Sequence, residues 1–326
     1  MKTHLRALIP ALIIALLVIS CNRDTSTTPG TSAVFFGWWD GEAPANYEPL
    51  VIAAAPLGME YLPNDYTTVP FPMNRNEYLL EIMDCYDAGA SVVHIVPVAA
   101  EPDTVNSLFE WTWDNYIYII NYVRKNCPGM LICADLTQAA AQITDSLKAD
   151  SAVTFVAPVY GRYLYDDVWT GFDIPSLDGV NIVGWQAAGV KVMPLIVSPQ
   201  QADYFNLYLN QVYLQSPMHF TIAIGWESNS ASTEEVFNTI VATLPDTSKF
   251  MVVCTRDNPN ELMGLAIAKG YHLRVGMKNA VYWPGNTYSP VPSSSFMVQK
   301  AVELASQINR DIATPEEAAI ILDAYR

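Results

Sequence analysis

The sequence predicts a closed α/β barrel of eight parallel strands, each followed by a helix. Two observations carry that expectation. Eight short runs rich in Val, Ile and Ala alternate in strict succession with longer segments of helical period, and the composition stays uniform over the last nine-tenths of the chain. Continuously apolar runs suit strands buried on both faces, as in parallel sheets, whereas a sheet with one wet face alternates apolar and polar residues. Unbroken strand–helix succession favours a (β/α)8 TIM barrel over an open doubly wound sheet, and the length suits one such domain of ~250 residues with extensions.

In chain order the strands are expected at Leu50–Ala55, Ser91–Val96, Met130–Ala134, Ala152–Ala157, Lys191–Val197, Phe220–Gly225, Phe250–Cys254 and Tyr271–Val275. The helices follow at Arg75–Ala88, Leu108–Asn126, Thr137–Lys148, Ser176–Ala188, Gln201–Leu214, Thr233–Leu244, Pro259–Lys269 and Ser293–Asn309. Ser232-Thr233-Glu234-Glu235 has the capping and acidic residues of a helix start, and Gly89 and Gly270 are stop signals. A last helix, from Thr314-Pro315-Glu316-Glu317 to Tyr325, is expected to cap the barrel. Trp111, Trp113, Tyr116, Tyr118 and Tyr122 recur at helical spacing and read as packing residues. Phe35-Phe36-Gly37-Trp38-Trp39 reads as cover for the barrel bottom, with docking on another protein as the alternative.

Residues 1–20 are expected to form a signal peptide: Lys2 and Arg6, an apolar stretch from Ala7 to Ile19, then Val18-Ile19-Ser20-Cys21, the pattern of a lipobox. The stretch is shorter than the ~20 residues of a spanning helix. Cys21 is therefore expected to carry lipid and hold the protein in the cell envelope as a bacterial lipoprotein. Residues 21–32, rich in Thr, Ser, Pro and Gly, read as a flexible tether, leaving 33–326 as one barrel domain. Removal of the signal peptide takes two basic residues and no acidic one, so the formal charge passes from −16 to −18. An acidic body of this kind repels nucleic acid and anionic lipid, so the membrane is met through the lipid alone. Cys85, Cys127, Cys133 and Cys254 match no zinc knuckle or redox pair and read as buried thiols, one disulfide being the alternative in an exported protein.

Barrel chemistry sits at the carboxyl ends of the strands. Those ends carry Glu60, His94 with Val96, Asp135, Pro158, Ser198, Trp226 with Glu227, Arg256 with Asp257, and Arg274 with Lys278 and Asn279. His219 and His272 start their strands, far from the mouth, and read as structural.

Three stretches resemble the β-keto acid cleavage enzymes. Asp87-Ala88-Gly89-Ala90-Ser91-Val92-Val93-His94-Ile95 is similar to that family's turn into a metal-binding His-x-His strand, and Gly270-Tyr271-His272-Leu273-Arg274-Val275-Gly276 to its Gly-x-His-x-Arg-Val-Gly. Asn309-Arg310-Asp311-Ile312-Ala313-Thr314-Pro315-Glu316-Glu317-Ala318 resembles its closing helices. The resemblance implies a zinc enzyme that splits a β-keto acid against acetyl-CoA and often associates with copies of itself. It implies His94 as one zinc ligand, but places Val96 and Lys278 at the other two ligand positions and Asn279 where the family has an Asp. Glu60 and Arg274 match the family's acidic residue and arginine; Asp135 replaces a serine before a glycine-rich turn that is here Thr137 and Gln138.

No bound cofactor is expected, because two of three zinc positions are replaced and acetyl-CoA is a cytoplasmic metabolite. The expected partner is a small carboxylate or keto acid, held by Arg274 and Lys278 at positions i and i+4 of the last strand, in a pseudoenzyme. These cations pairing with Glu60 and Asp135 in an internal network is the alternative. Two catalytic readings stand beside it: Lys278 as an amine nucleophile forming a Schiff base with a β-keto acid, and a rebuilt metal site of His94 with Glu60, Asp135 or Glu227.

Overall fold

The computed structural model describes residues 47–58, 69–103, 107–135, 141–151, 153–157, 182–206, 216–223, 233–254, 259–283 and 289–324. The expected signal peptide, lipidation site, tether and aromatic segment lie outside them, as do Glu60, Pro158, Trp226, Glu227, Arg256 and Asp257.

The strands are β1 (Ile52–Ala54), β2 (Val92–Ile95), β3 (Leu131–Asp135), β4 (Val153–Ala157), β5 (Lys191–Val192), β6 (Leu195–Ile196), β7 (His219–Ala223), β8 (Lys249–Val253) and β9 (His272–Val275). They form one parallel sheet in the order β5-β4-β3-β2-β1-β9-β8-β7-β6. The two ends of that sheet, β5 and β6, are halves of the single strand expected at 191–197, so the sheet closes on itself as an eight-strand TIM barrel. The strand is interrupted at Met193-Pro194. Pro194 has no N–H for a ladder, and its carbonyl instead accepts the Thr221 N–H at 2.8 Å.

Helices follow in the expected places: α1 (Arg75–Asp87), α2 (Trp113–Asn126), α3 (Ala141–Ala149), α4 (Ile182–Ala187), α5 (Pro199–Tyr204), α6 (Thr233–Thr243), α7 (Pro259–Ala268), α8 (Ser294–Gln307) and α9 (Pro315–Ile321). Their starts are set by side chains that accept otherwise unpaired backbone N–H groups. Thr112 caps α2, which therefore begins five residues later than Leu108, and Ser198 caps α5 ahead of Gln201. Thr314 and Glu317 form a full capping box on α9, which stops at Ile321, short of the expected Tyr325. Tyr116 is buried, and Trp111, Trp113 and Tyr122 pack against the core as expected. Tyr118 does not: it is 47% exposed, with the Arg75 guanidinium 3.8 Å over its ring.

Successive strand residues point to opposite faces, and the alternation divides the apolar residues into two compartments. Val51, Ala53, Val92, Leu131, Cys133, Phe155, Met193 and Met251 fill the barrel interior, closed below by Ala313, Ala318, Leu322 and Ala324 around α9. Ile52, Ala54, Val93, Ile95, Ile132, Val252, Leu273 and Val275 face outward against the helices. All four described cysteines are buried free thiols. No described helix is long and apolar enough to cross a membrane.

The barrel bottom is tied by polar groups. The Arg310 guanidinium donates to the carbonyls of Glu48, Ile267, Gly270 and Tyr271, at 2.7–3.2 Å. His272 Nδ1 accepts the Val51 N–H at 3.2 Å, and His219 Nε2 donates to the Leu322 carbonyl at 2.6 Å. Both histidines are structural, as expected from their places at strand starts. Burial lowers His219 to about 4 and His272 to about 3, so both rings are neutral in the folded protein. The unfolded chain takes up protons below the ordinary value of 6.5 and the folded chain does not, so this stability is complete above that pH and lost as pH falls. Urea unfolding at pH 7 and pH 5 should show a loss of about 2 kcal/mol per histidine. His219→Gln, whose amide can replace the bond to Leu322, is expected to remove its share of that pH dependence.

Candidate functional site

The polar residues at the carboxyl ends of β9, β1, β2 and β3 depend on backbone fixed by close contacts. Gly276, directly after β9, has φ +140°, and a Cβ there would lie 2.2 Å from the Ala55 carbonyl oxygen. Only glycine permits this approach. It lets the Lys278 N–H donate to Ala55 O at 3.1 Å and the Asn279 N–H to Gly276 O at 2.9 Å. Ser294, at the start of α8, accepts the Met277 N–H and donates to Pro56 O. Lys278 therefore stands on a turn after β9, not on the strand as the i, i+4 reading had it; Arg274 alone belongs to the strand.

Arg274, His94 and Asp135 all take inward positions, alternating with outward neighbours. His94 pairs in register with Cys133, two residues before Asp135. Tyr116, on α2, donates its hydroxyl to the Asp135 carbonyl, and the Tyr78 hydroxyl accepts the Val96 N–H at 3.2 Å. These two buried tyrosines fix the ends of β3 and β2 from behind.

On this frame Asp135 Oδ2 meets two donors, Lys278 Nζ at 2.8 Å and His94 Nε2 at 3.1 Å. Burial alone would raise the Asp135 carboxyl, but the Lys278 ammonium and then His94 hold it well below the usual carboxylate range. Burial, aided by Arg274 and Lys278 and opposed by the Asp135 hydrogen bond, lowers His94 to about 4. The His94–Asp135 contact is therefore a hydrogen bond from a neutral ring, and the Lys278–Asp135 contact is the ion pair. Arg274 acts on His94, Cys133 and Cys254, and burial pushes the Cys133 thiol up to about 12.

The expected site residues His94, Asp135, Arg274 and Lys278 thus converge. Asn279 is buried beside Lys278 in the same turn, and Glu60 lies outside the described residues. Tyr116 and Cys133 were missed as site residues. Cys133 was legible by alternation, two positions before Asp135. Tyr116 was not, because its helical spacing indicates burial and says nothing of its hydroxyl.

The described residues do not by themselves offer zinc a set of ligands. Among the described residues no three His, Cys, Asp or Glu side chains gather as ligands. The position two after His94 is the apolar Val96, and Asp135, the carboxylate nearest His94 among the described residues, already holds an ammonium that would repel a divalent ion. That same ion pair favours Lys278 as an ammonium over an amine nucleophile.

Buried charged and polar groups converging where parallel strands end define a (β/α)8 barrel protein with its site at the mouth used by barrel enzymes. A model of the β-keto acid cleavage enzyme family matches residues 180–323. The chain is 27% identical over 280 residues to the 3-keto-5-aminohexanoate cleavage enzyme of Acetoanaerobium sticklandii, covering 84% of this chain and 98% of that one. It is 27% identical over 284 residues to the enzyme of the same name from Fusobacterium nucleatum, with the same coverage. The chain is thus similar to the β-keto acid cleavage enzymes, by the family model over its carboxyl-terminal part and by these relatives over most of its length. In fold it is similar to ObcA in its binary complex with oxaloacetate, with TM-score 0.63, 13% identity, and coverage of 78% of this chain and 68% of that one. Apo ObcA gives TM-score 0.60 at 13% identity, with 78% of this chain and 65% of that one covered, just under two thirds of its length.

Removing one partner of a buried pair leaves the other charge stranded, at a cost of ~3–5 kcal/mol. Asp135→Asn should destabilise the protein by about that amount in urea unfolding, through the ammonium left without its carboxylate. Adding Lys278→Met to that variant should recover most of the loss.

Proposed function

We propose that this protein is an envelope lipoprotein, anchored through lipid on Cys21, whose barrel mouth binds a small carboxylate or keto acid without zinc-dependent cleavage. The observation that carries this reading is the Lys278–Asp135 pair, 2.8 Å apart and sharing its carboxylate oxygen with His94. Among the described residues, an ammonium stands where the histidine and a carboxylate would otherwise offer ligands to a metal. Arg274, inward on β9 and 6% exposed, is a planar guanidinium suited to a carboxylate. The ligand class follows the company the chain keeps: the relatives are named for cleaving a 3-keto acid, and the neighbouring fold was solved with oxaloacetate. Acetyl-CoA is the family's cosubstrate and a cytoplasmic metabolite, so binding without acyl transfer suits an envelope location.

The full-length chain, purified in detergent with EDTA throughout, should bind acetoacetate in isothermal titration calorimetry. Arg274→Ala should weaken that binding about tenfold or more, the loss of a charge-assisted hydrogen bond. Elemental analysis of protein prepared without chelator completes the test. About one zinc per chain, with binding abolished by its removal, would overturn this reading.

Cell fractionation tests the anchor separately. The wild-type chain should label with radioactive palmitate and sediment with membranes, and Cys21→Ser should do neither. An unlabelled wild-type chain would sink the lipoprotein assignment.

A further inference from the structure

The two ring nitrogens of His94 have unequal fates. An ionised Asp135 can only accept, so the neutral imidazole keeps its single proton on Nε2 and presents a bare lone pair at Nδ1. That Nδ1 is buried and has no hydrogen-bond partner among the described residues. The other two described histidines differ. His219 and His272 are also buried, but the ring nitrogens that bond Leu322 O and the Val51 N–H are satisfied and neither ring has a fully buried nitrogen left without a partner. Of these three described histidines, only the one at the mouth has a fully buried ring nitrogen left without a partner.

The open acceptor is also held in place. Asp135 cannot turn away from Nε2 without leaving Lys278, because both donors use the same oxygen, and Lys278 is fixed through the Gly276 turn against β1. The tautomer of His94 is thereby locked. A buried acceptor without a donor is unfavourable, and the ligand of the mouth is the group placed to supply one.

We infer that His94 Nδ1 receives a hydrogen bond from the ligand, so the mouth selects a hydroxy acid over the keto acid of the same carbon skeleton. This rests on the carboxylate-binding reading above and narrows it. Arg274 takes the carboxylate, and the hydroxyl donates to Nδ1. A ketone at the same carbon has no proton to give and turns its own lone pairs toward that of Nδ1. Lys278 and Asp135 act here as positioning residues, through His94.

The test compares (R)- and (S)-3-hydroxybutyrate with acetoacetate in calorimetric titrations of the full-length chain in detergent with EDTA. One hydroxybutyrate enantiomer should bind about tenfold or more tightly than acetoacetate, the worth of a hydrogen bond to a buried acceptor. His94→Gln keeps a donor to Asp135 in the place of Nε2 and deletes Nδ1. It should lose the preference for the hydroxyl, so that hydroxybutyrate and acetoacetate bind it with similar affinity. Hydroxy and keto acids of equal affinity in the wild type, or a preference that survives in His94→Gln, would overturn this inference and leave the carboxylate site standing. Failure of all three compounds to bind would overturn both. The wild-type comparison decides the matter even where the variant does not fold.

Discussion

A carboxylate that is 2% exposed stays ionised in this protein because an ammonium lies 2.8 Å away, and much of the mouth depends on that pairing. In a medium of low polarity neither charge is stable alone. Together they confer direction: one oxygen of Asp135 receives the Lys278 ammonium from the β9 turn and the His94 ring from β2, so three neighbouring parts of the barrel meet at a single atom. The neutrality of His94 comes from its burial, aided by Arg274 and Lys278, while its proton on Nε2 and the open Nδ1 follow from the charge on that oxygen. Among the described residues, the carboxylate closest to the histidine is thereby committed to a cation and not to a metal.

The barrel supplies what such a pair needs, a rigid and largely dry frame. Cys133, Val92 and Phe155 lie inward below the polar residues, and α9 with its flanks closes the far end. Tyr116 and Tyr78 reach from the helix layer to the strand ends and satisfy backbone groups there, so the strand ends are braced from outside. The structural histidines and Arg310 do comparable work at the bottom, where Arg310 gathers four carbonyls from segments far apart in sequence. Both ends of the barrel are thus polar and buried, but the bottom is satisfied by backbone carbonyls and the mouth by opposite charges.

Much of this was legible in the sequence, for a physical reason. Strands buried on both faces must be apolar throughout, so all eight were visible as runs, and strand ends in a parallel barrel point to one mouth. That placed His94, Asp135, Arg274 and Lys278 together, and the pairing of Lys278 with Asp135 was already one of the two ways of reading those cations. What escaped depended on backbone geometry. The turn at Gly276 takes Lys278 off the strand, a displacement no side-chain pattern announces. The break at Met193-Pro194 hid inside an apolar run, since Val192, Met193, Leu195 and Ile196 look like one strand whether or not a proline removes a rung. The Tyr116 hydroxyl was overlooked because periodicity reports which face is buried and not what a polar tip on that face will meet.

That broken strand has a mechanical meaning. The sheet closes through β5, which pairs only with β4, and β6, which pairs only with β7, so each seam holds two residue pairs, against five between β7 and β8. The β1–β2 seam also holds two pairs, but there the strands run unbroken, whereas at Met193-Pro194 the chain itself interrupts the strand. His94, Asp135 and Arg274 ride on β2, β3 and β9, and with β1 these form a continuous arc across the ring from the seam. The interruption at 193–194 thus lies on the wall opposite the charged cluster, and the strands that carry His94, Asp135 and Arg274 are joined to one another without passing through it.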